Sequence, residues 1–123
     1  MSGTPWSKAA RARTARLWTQ THTYLNGGSE TAEWLGELFE CTETSFLREA
    51  LTEADAVLDK AGWISDSDPD YNAICDAGII EADGHDYIFS LMTGMPDGES
   101  NRLLFEELAA TIFDAREALN LQQ

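Results

Sequence analysis

The dipeptide Asp83-Gly84 sits between two short apolar runs, Ile79-Ile80 and Tyr87-Ile88-Phe89. A two-residue loop of this kind takes both central residues to positive φ, which Asp and Gly tolerate, and its twist matches that of the strands it joins. The segment is therefore expected to be a two-stranded antiparallel β-hairpin. Every other stretch with a clear period reads as helix, so the expected fold is mainly α within the α+β class: about five helices, first and last, with the hairpin between.

Thr4-Pro5 reads as a cap and first helical residue and Gly27-Gly28 as the stop, which predicts a helix over residues 5–25 with Trp6, Ala10, Leu17 and Tyr24 on one face. A second helix is expected from Ser29 to about Cys41, with Trp34, Leu35, Leu38 and Phe39 as its apolar stripe. Phe46, Leu47, Ala50, Leu51, Ala54, Val57, Leu58 and Ala61 keep helical spacing up to Gly62, predicting a third helix from about Thr44. Asp68-Pro69 repeats the cap-and-proline signature and Gly78 resembles a stop, so a short helix is expected over 69–77. After a loop from Gly94 to Gly98, the last helix is expected from about Ser100 to Leu119, burying Leu104, Phe105, Leu108, Ile112, Ala115 and Leu119.

At 123 residues the chain is long enough for one compact domain with a core that needs no staples, and 43 % hydrophobic residues exclude a disordered acidic tail. No apolar run is long enough to span a membrane and no secretion signal opens the chain, so a cytoplasmic protein is expected. Cys41 and Cys75 stand apart from each other and from any His cluster, as small buried residues would rather than zinc ligands or a disulfide framework.

Charge is the outstanding compositional fact: 22 acids against 8 bases give a formal net charge of −14. Residues 1–28, the basic first helix, carry Lys8, Arg11, Arg13 and Arg16 and no acid, whereas the acidic body, 29–123, holds all 22 acids and four bases. Within that body, residues 61–101 contain nine acids and no Lys or Arg. Salt adaptation would explain acidity spread along the whole chain, and a passive acidic domain of a halophile is one reading of this sequence. Segregation of the charges favours a functional field instead.

Asp66, Asp68 and Asp70 alternate as in a calcium loop, but the turn glycine and the distal bidentate Glu are missing: counted from Asp66, those positions hold Tyr71 and Ala77. Asp68 is better read as a helix cap and Asp70 as a carboxylate favoured near the helix N-terminus. Glu30, Glu33, Glu37 and Glu40 fall within an arc of roughly 80° on the second helix, facing solvent with no Lys or Arg to pair with. Like charges at this spacing cost about 0.2–0.5 kcal/mol per pair, so helix stability does not ask for the pattern. Their spacing of about 5 Å per charge approaches the phosphate spacing of one DNA strand. Glu106, Glu107, Asp114 and Glu117 form a similar face on the last helix.

The run Asn72 to Met92, "NAICDAGIIEADGHDYIFSLM", resembles the end of the recognition helix and the wing of a winged-helix domain. That resemblance implies a regulator or adaptor acting through dimerisation by its hairpin and last helix. The positions that would meet DNA are acidic, Asp66, Asp68, Asp70, Asp76, Glu81, Asp83 and Asp86, so direct binding of duplex DNA is not expected. No GxSxG, P-loop, HExxH or GxGxxG occurs, and Glu81, Asp83, His85 and Asp86 at a turn are expected to splay into water; neither catalysis, a metal nor a cofactor is expected. His22 is expected to partner the end of the first helix.

The leading functional expectation is an acidic inhibitor that mimics nucleic acid and occupies a basic, nucleic-acid-binding surface of a partner protein. In size and charge the chain resembles the DNA-mimic inhibitors of phages and mobile elements, some anti-CRISPR proteins among them. The expected contact residues are Glu30, Glu33, Glu37, Glu40, Asp66, Asp68, Asp70, Glu81, Asp83 and Asp86, with Trp63 and Tyr71 as aromatic anchors.

Overall fold

A computed structural model describes residues 8–119. In chain order the elements are α1 (Lys8–Leu25), α2 (Glu30–Glu40), α3 (Phe46–Ala50), β1 (Ala56–Ile64), β2 (Ala73–Ala82), β3 (His85–Thr93), α4 (Glu99–Asp114) and α5 (Arg116–Leu119). A single 3₁₀ turn, Pro69–Tyr71, precedes β2. The strands form one antiparallel sheet in the order β1-β2-β3. The expected two-stranded hairpin is thus corrected to a three-stranded sheet in a mixed α+β domain. The turn itself is as expected: Asp83 and Gly84 take φ of 58° and 75°, and Ala82 pairs with His85.

The sheet is the middle of three layers. On one face Leu58, Ala77 and Ile79 pack against Trp18 of α1, with Phe39 of α2 beside them. On the other, Val57, Ile80, Ala82 and Phe89 meet Leu47, Leu51, Ala109 and Phe113 of α3 and α4, and Ala61 and Ile74 meet Phe46 and Phe105. A central strand covered on both sides loses the apolar–polar alternation that marks a half-exposed strand. β2 is buried at eight of its ten positions.

That double burial explains the largest correction. The expected third helix is a five-residue helix, then a turn, then β1. Val57 and Leu58 are adjacent and both buried because they serve opposite faces of the sheet, not one face of a helix. Likewise the expected helix over 69–77 is three residues of 3₁₀ turn running into β2, so the stretch likened to a recognition helix is a strand. α1 ends at Leu25 as expected, while residues 5–7 and Trp6 lie outside the described residues. On α4 the buried row is Phe105, Ala109 and Phe113; Leu104 and Leu108, expected inside, are 50 % and 41 % exposed, and Leu119 is exposed in α5.

A buried polar network fixes α3 to the sheet. Asp59 of β1 and Asp76 of β2 are 0 % and 1 % exposed. Asp76 Oδ2 accepts the first two N–H groups of α3, from Phe46 at 3.0 Å and Leu47 at 3.1 Å, and so satisfies donors that every helix start leaves open. Ser45, the cap residue, accepts the Arg48 N–H at 3.0 Å and donates its hydroxyl to Asp59 Oδ2 at 2.5 Å. Thr42 Oγ1 and Arg48 Nη2 donate to Asp59 Oδ1 at 3.2 and 3.3 Å. Arg48 also donates to the carbonyls of Phe39, Thr42 and Val57, tying the end of α2 to β1.

Candidate functional site

α2 starts where the sequence places it. Ser29 sits in extended geometry and its hydroxyl accepts the Ala32 N–H at 3.1 Å. Ala32, Leu35, Gly36 and Phe39 turn inward, which leaves Glu33, Glu37 and Glu40 on the flank facing the β2–β3 turn. Across that turn Glu81 of β2 is directly opposite Asp86 of β3. The three glutamates of α2 and this pair line one cleft of about 300 Å³, with Leu58 and Ile79 in its floor and His22 and Leu25 of α1, with Asn26 just beyond it, closing one side.

The electrostatics agree with that convergence. Burial, then the charges of Asp86, Glu40 and Asp55, push the Glu81 carboxyl above the usual carboxylate range, and His22 opposes them. Like charges directly opposite in a sheet are destabilising, so the Glu81–Asp86 pair is held against its own repulsion. Asp55 joins from the residue before β1, where its N–H donates to the Glu81 carbonyl at 2.7 Å. Among the described residues His22 Nε2 is hydrogen-bonded to Asp86 Oδ2 at 2.8 Å in the cleft, and no Lys or Arg pairs with Glu33, Glu37, Glu40 or Glu81. His22 therefore meets the hairpin rather than its own helix end; Asn26 donates to the His22 carbonyl instead.

The other expected contact residues are elsewhere. Glu30 is exposed in the first turn of α2, outside the cleft lining. Asp83 faces the α3–α4 side, where Arg116 Nε and Nη2 donate to its Oδ2 at 2.9 and 2.6 Å. Asp66, Asp68 and Asp70 lie at the opposite end of the sheet, about 30 Å away along the ten residues of β2. There Asp66 Oδ1 accepts the Asp68 N–H at 2.8 Å and Asp68 Oδ1 the Asp70 N–H at 3.0 Å. Asp68 is a cap, as read from the sequence, and two of the three aspartates serve the local turn. Trp63 belongs to that end too, with the Arg102 guanidinium 5.2 Å from its ring and 5.1 Å from that of Phe46. Arg102 is itself held by Asp97, whose carboxyl it keeps below the usual range. Tyr71 is exposed at the same end.

Sequence reasoning missed Asp55, hidden inside the supposed third helix, and the buried Asp59–Asp76 pair. An Asp flanked on both sides by apolar residues, as in Ile74-Cys75-Asp76-Ala77, was the available signal for the latter. Cys41 is exposed, contrary to expectation, and Cys75 is half-buried; both are free thiols, and burial raises that of Cys75. Among the described residues no group of three or more His, Cys, Asp or Glu is arranged to hold a metal ion, and no helix is long and apolar enough to cross a membrane. No protein-family model, curated protein or solved structure matches the chain.

Proposed function

We propose that the protein is a binding module that grips a basic, nucleic-acid-binding surface of a partner protein, its carboxylates standing where phosphates would. The observation that carries the reading is the convergence of Glu33, Glu37 and Glu40 with Glu81 and Asp86 on one cleft that no Lys or Arg among the described residues neutralises. Two segments that are distant in sequence supply these acids, and at this spacing they repel one another along the helix and across the hairpin. Partner guanidinium and ammonium groups entering the cleft would relieve that repulsion and form charge-assisted hydrogen bonds. Inhibition of the partner follows if the same surface otherwise holds nucleic acid. The reading makes the protein a competitor rather than an enzyme.

The test uses an eight-arginine peptide as a stand-in for the basic surface, followed by fluorescence anisotropy over a salt series. The native chain should bind it with an affinity that falls steeply between low and moderate salt. Charge reversal at Glu33→Lys and Glu37→Lys should weaken binding about tenfold or more without lowering the melting temperature, since both residues are exposed. Reversal at Asp66→Lys and Asp70→Lys, the far end of the sheet, should change it less than about threefold. Equal losses from the two ends would mean that net charge alone attracts the peptide, as in a salt-adapted protein, and would sink the reading.

A further inference from the structure

β3 is an outer strand of the sheet. Its first residue pairs across the two-residue turn, so alternate residues from His85 bond to β2, and Asp86, Ile88, Ser90 and Met92 direct their N–H and C=O groups outward. No described residue bonds to those outward groups. Soluble proteins normally blunt such an edge with Lys, Pro, a bulge or a covering helix. β1, the other outer strand, is treated that way: Lys60 lies within it, α2 and α3 flank it, and Arg48 donates to its Val57 carbonyl at 3.0 Å. Among the described residues β3 carries no Lys, Pro or bulge, although α1 packs against it as α2 packs against β1, and its one carboxylate, Asp86, is near its start.

The surroundings of β3 are equally unlike the rest of the molecule. On the α1 face, α1 carries no acid along its whole length. On the other face, α4 turns Glu106, Ala110 and Asp114 toward α3, and its opposite flank of Leu104, Leu108 and Ile112 is uncharged, with the exposed Glu107 at its solvent border. Ile112 shares the core with Tyr87 and Leu91 of β3, which places the exposed leucines above the open strand. In a chain of net charge −14 this is a carboxylate-poor strip where another equally acidic chain can approach.

We propose that β3 and the leucine flank of α4 form a homodimer interface, with β3 pairing antiparallel to β3 of a second copy to make a six-stranded sheet. A dyad at Ser90 sets Ile88 opposite the partner's Met92 and Phe89 opposite the partner's Leu91, and keeps the two Asp86 carboxylates at far ends. Charge complementarity favours a second copy over an unrelated strand. α1 runs from Met92, which shares a groove with Thr14 and Leu17, to Asp86, which holds His22. Antiparallel pairing therefore brings its basic half, Arg11 to Arg16, toward the acidic β2–β3 turn of the other copy. The leucine flanks of the two α4 helices approach each other over the joined strands. Asp86 alone belongs both to the acidic cleft and to β3, at the far end of the paired strands, and Leu104 and Leu108 lie outside the cleft, so the test of this interface is separate from that of the binding function.

Sedimentation velocity on the full chain at tens of micromolar should give twice the 13.6 kDa of one chain. Leu104→Glu with Leu108→Glu, both exposed in the single chain, should weaken dimerisation about a hundredfold and leave the far-UV circular dichroism unchanged. Hydrogen exchange of the Ile88, Ser90 and Met92 amides should slow as concentration rises. A monomer at these concentrations overturns the proposal, as does a dimer that survives the double substitution. Amides whose exchange ignores concentration also overturn it, and protection only on adding an extended peptide would assign the edge to a foreign strand.

Discussion

Gly78→Ala is expected to abolish folding, or to lower the melting temperature by about 15 °C or more. Gly78 faces Asp59 across the β1–β2 pair, and a Cβ built there would lie 2.0 Å from the Leu58 carbonyl oxygen and 2.7 and 2.8 Å from Asp59 Cα and Cβ. An extra methyl in a packed core costs about 1–3 kcal/mol where side chains can move aside. Here two of the three contacts are backbone atoms, and β1 can yield only by pulling away from the central strand. The cost should exceed about 4 kcal/mol, a large part of the stability of any domain of this size. Gly94→Ala provides the control, because nothing lies within 4 Å of the corresponding Cβ. Thermal melts followed by circular dichroism decide the matter. If Gly78→Ala melts within a few degrees of the parent, the close approach of β1 to β2 at this point is wrong.

The same glycine shows where sequence reasoning reached its limit. Asp68-Pro69 followed by Gly78 has the punctuation of a short helix, and local chemistry alone cannot separate a glycine that ends a helix from one that lets two strands touch. β1 was hidden for a related reason. Its two faces are both covered near its start, so Val57 and Leu58 fall into the spacing of Leu47, Ala50, Leu51 and Ala54, and the sum imitates one long helix. The features that could be read were those fixed by neighbours in sequence: Ser29 as the cap of α2, the Asp83-Gly84 turn, Asp68 as a local cap, and the break after Leu25. The glutamate row of α2 was legible because helical geometry alone aligns it. That Glu81 and Asp86 face this row, while Asp83 and Asp66–Asp70 do not, depends on how α2 crosses the sheet, which no local pattern encodes.

A chain with this surplus of acid also has to decide where carboxylates are kept from water. The exposed ones repel one another weakly through solvent, but Asp59 and Asp76 are placed in the core with a single guanidinium, Arg48, between them and the surface. Removing two charges from water with one counter-charge is unfavourable, and the usual resolution is that one carboxyl keeps its proton. The geometry indicates which one. Asp59 has three donors, from Ser45, Thr42 and Arg48, whereas Asp76 Oδ1 has no partner as an acceptor. A proton on Asp76 turns it into a donor toward Asp59, while Oδ2 goes on receiving the N–H groups of α3.

Asp76→Asn is accordingly expected to remove a pH dependence rather than to break the fold. Burial first, then hydrogen bonding to Asp59 and the charge of Asp59, push the Asp76 carboxyl up to about 9. An unfolded Asp titrates near 3.9, so between these values the folded chain binds one proton more than the unfolded chain. The contribution is fully present below about pH 4 and is lost as pH rises toward 9, at a rate of up to about 1.4 kcal/mol per pH unit. Asparagine keeps an oxygen for the Phe46 and Leu47 N–H groups and offers an amide N–H to Asp59 without needing a proton. In urea unfolding followed by tryptophan fluorescence, the variant and parent should be of similar stability near pH 4. By pH 8 the variant should be ahead by about 2 kcal/mol or more, the gap widening steadily between. Asp76→Ala, which leaves the α3 N–H groups without an acceptor, should lie about 2–4 kcal/mol below Asp76→Asn at every pH. Parallel pH profiles for the parent and Asp76→Asn would show that Asp76 carries no buried proton, and the single guanidinium of Arg48 would then have to balance both carboxylates.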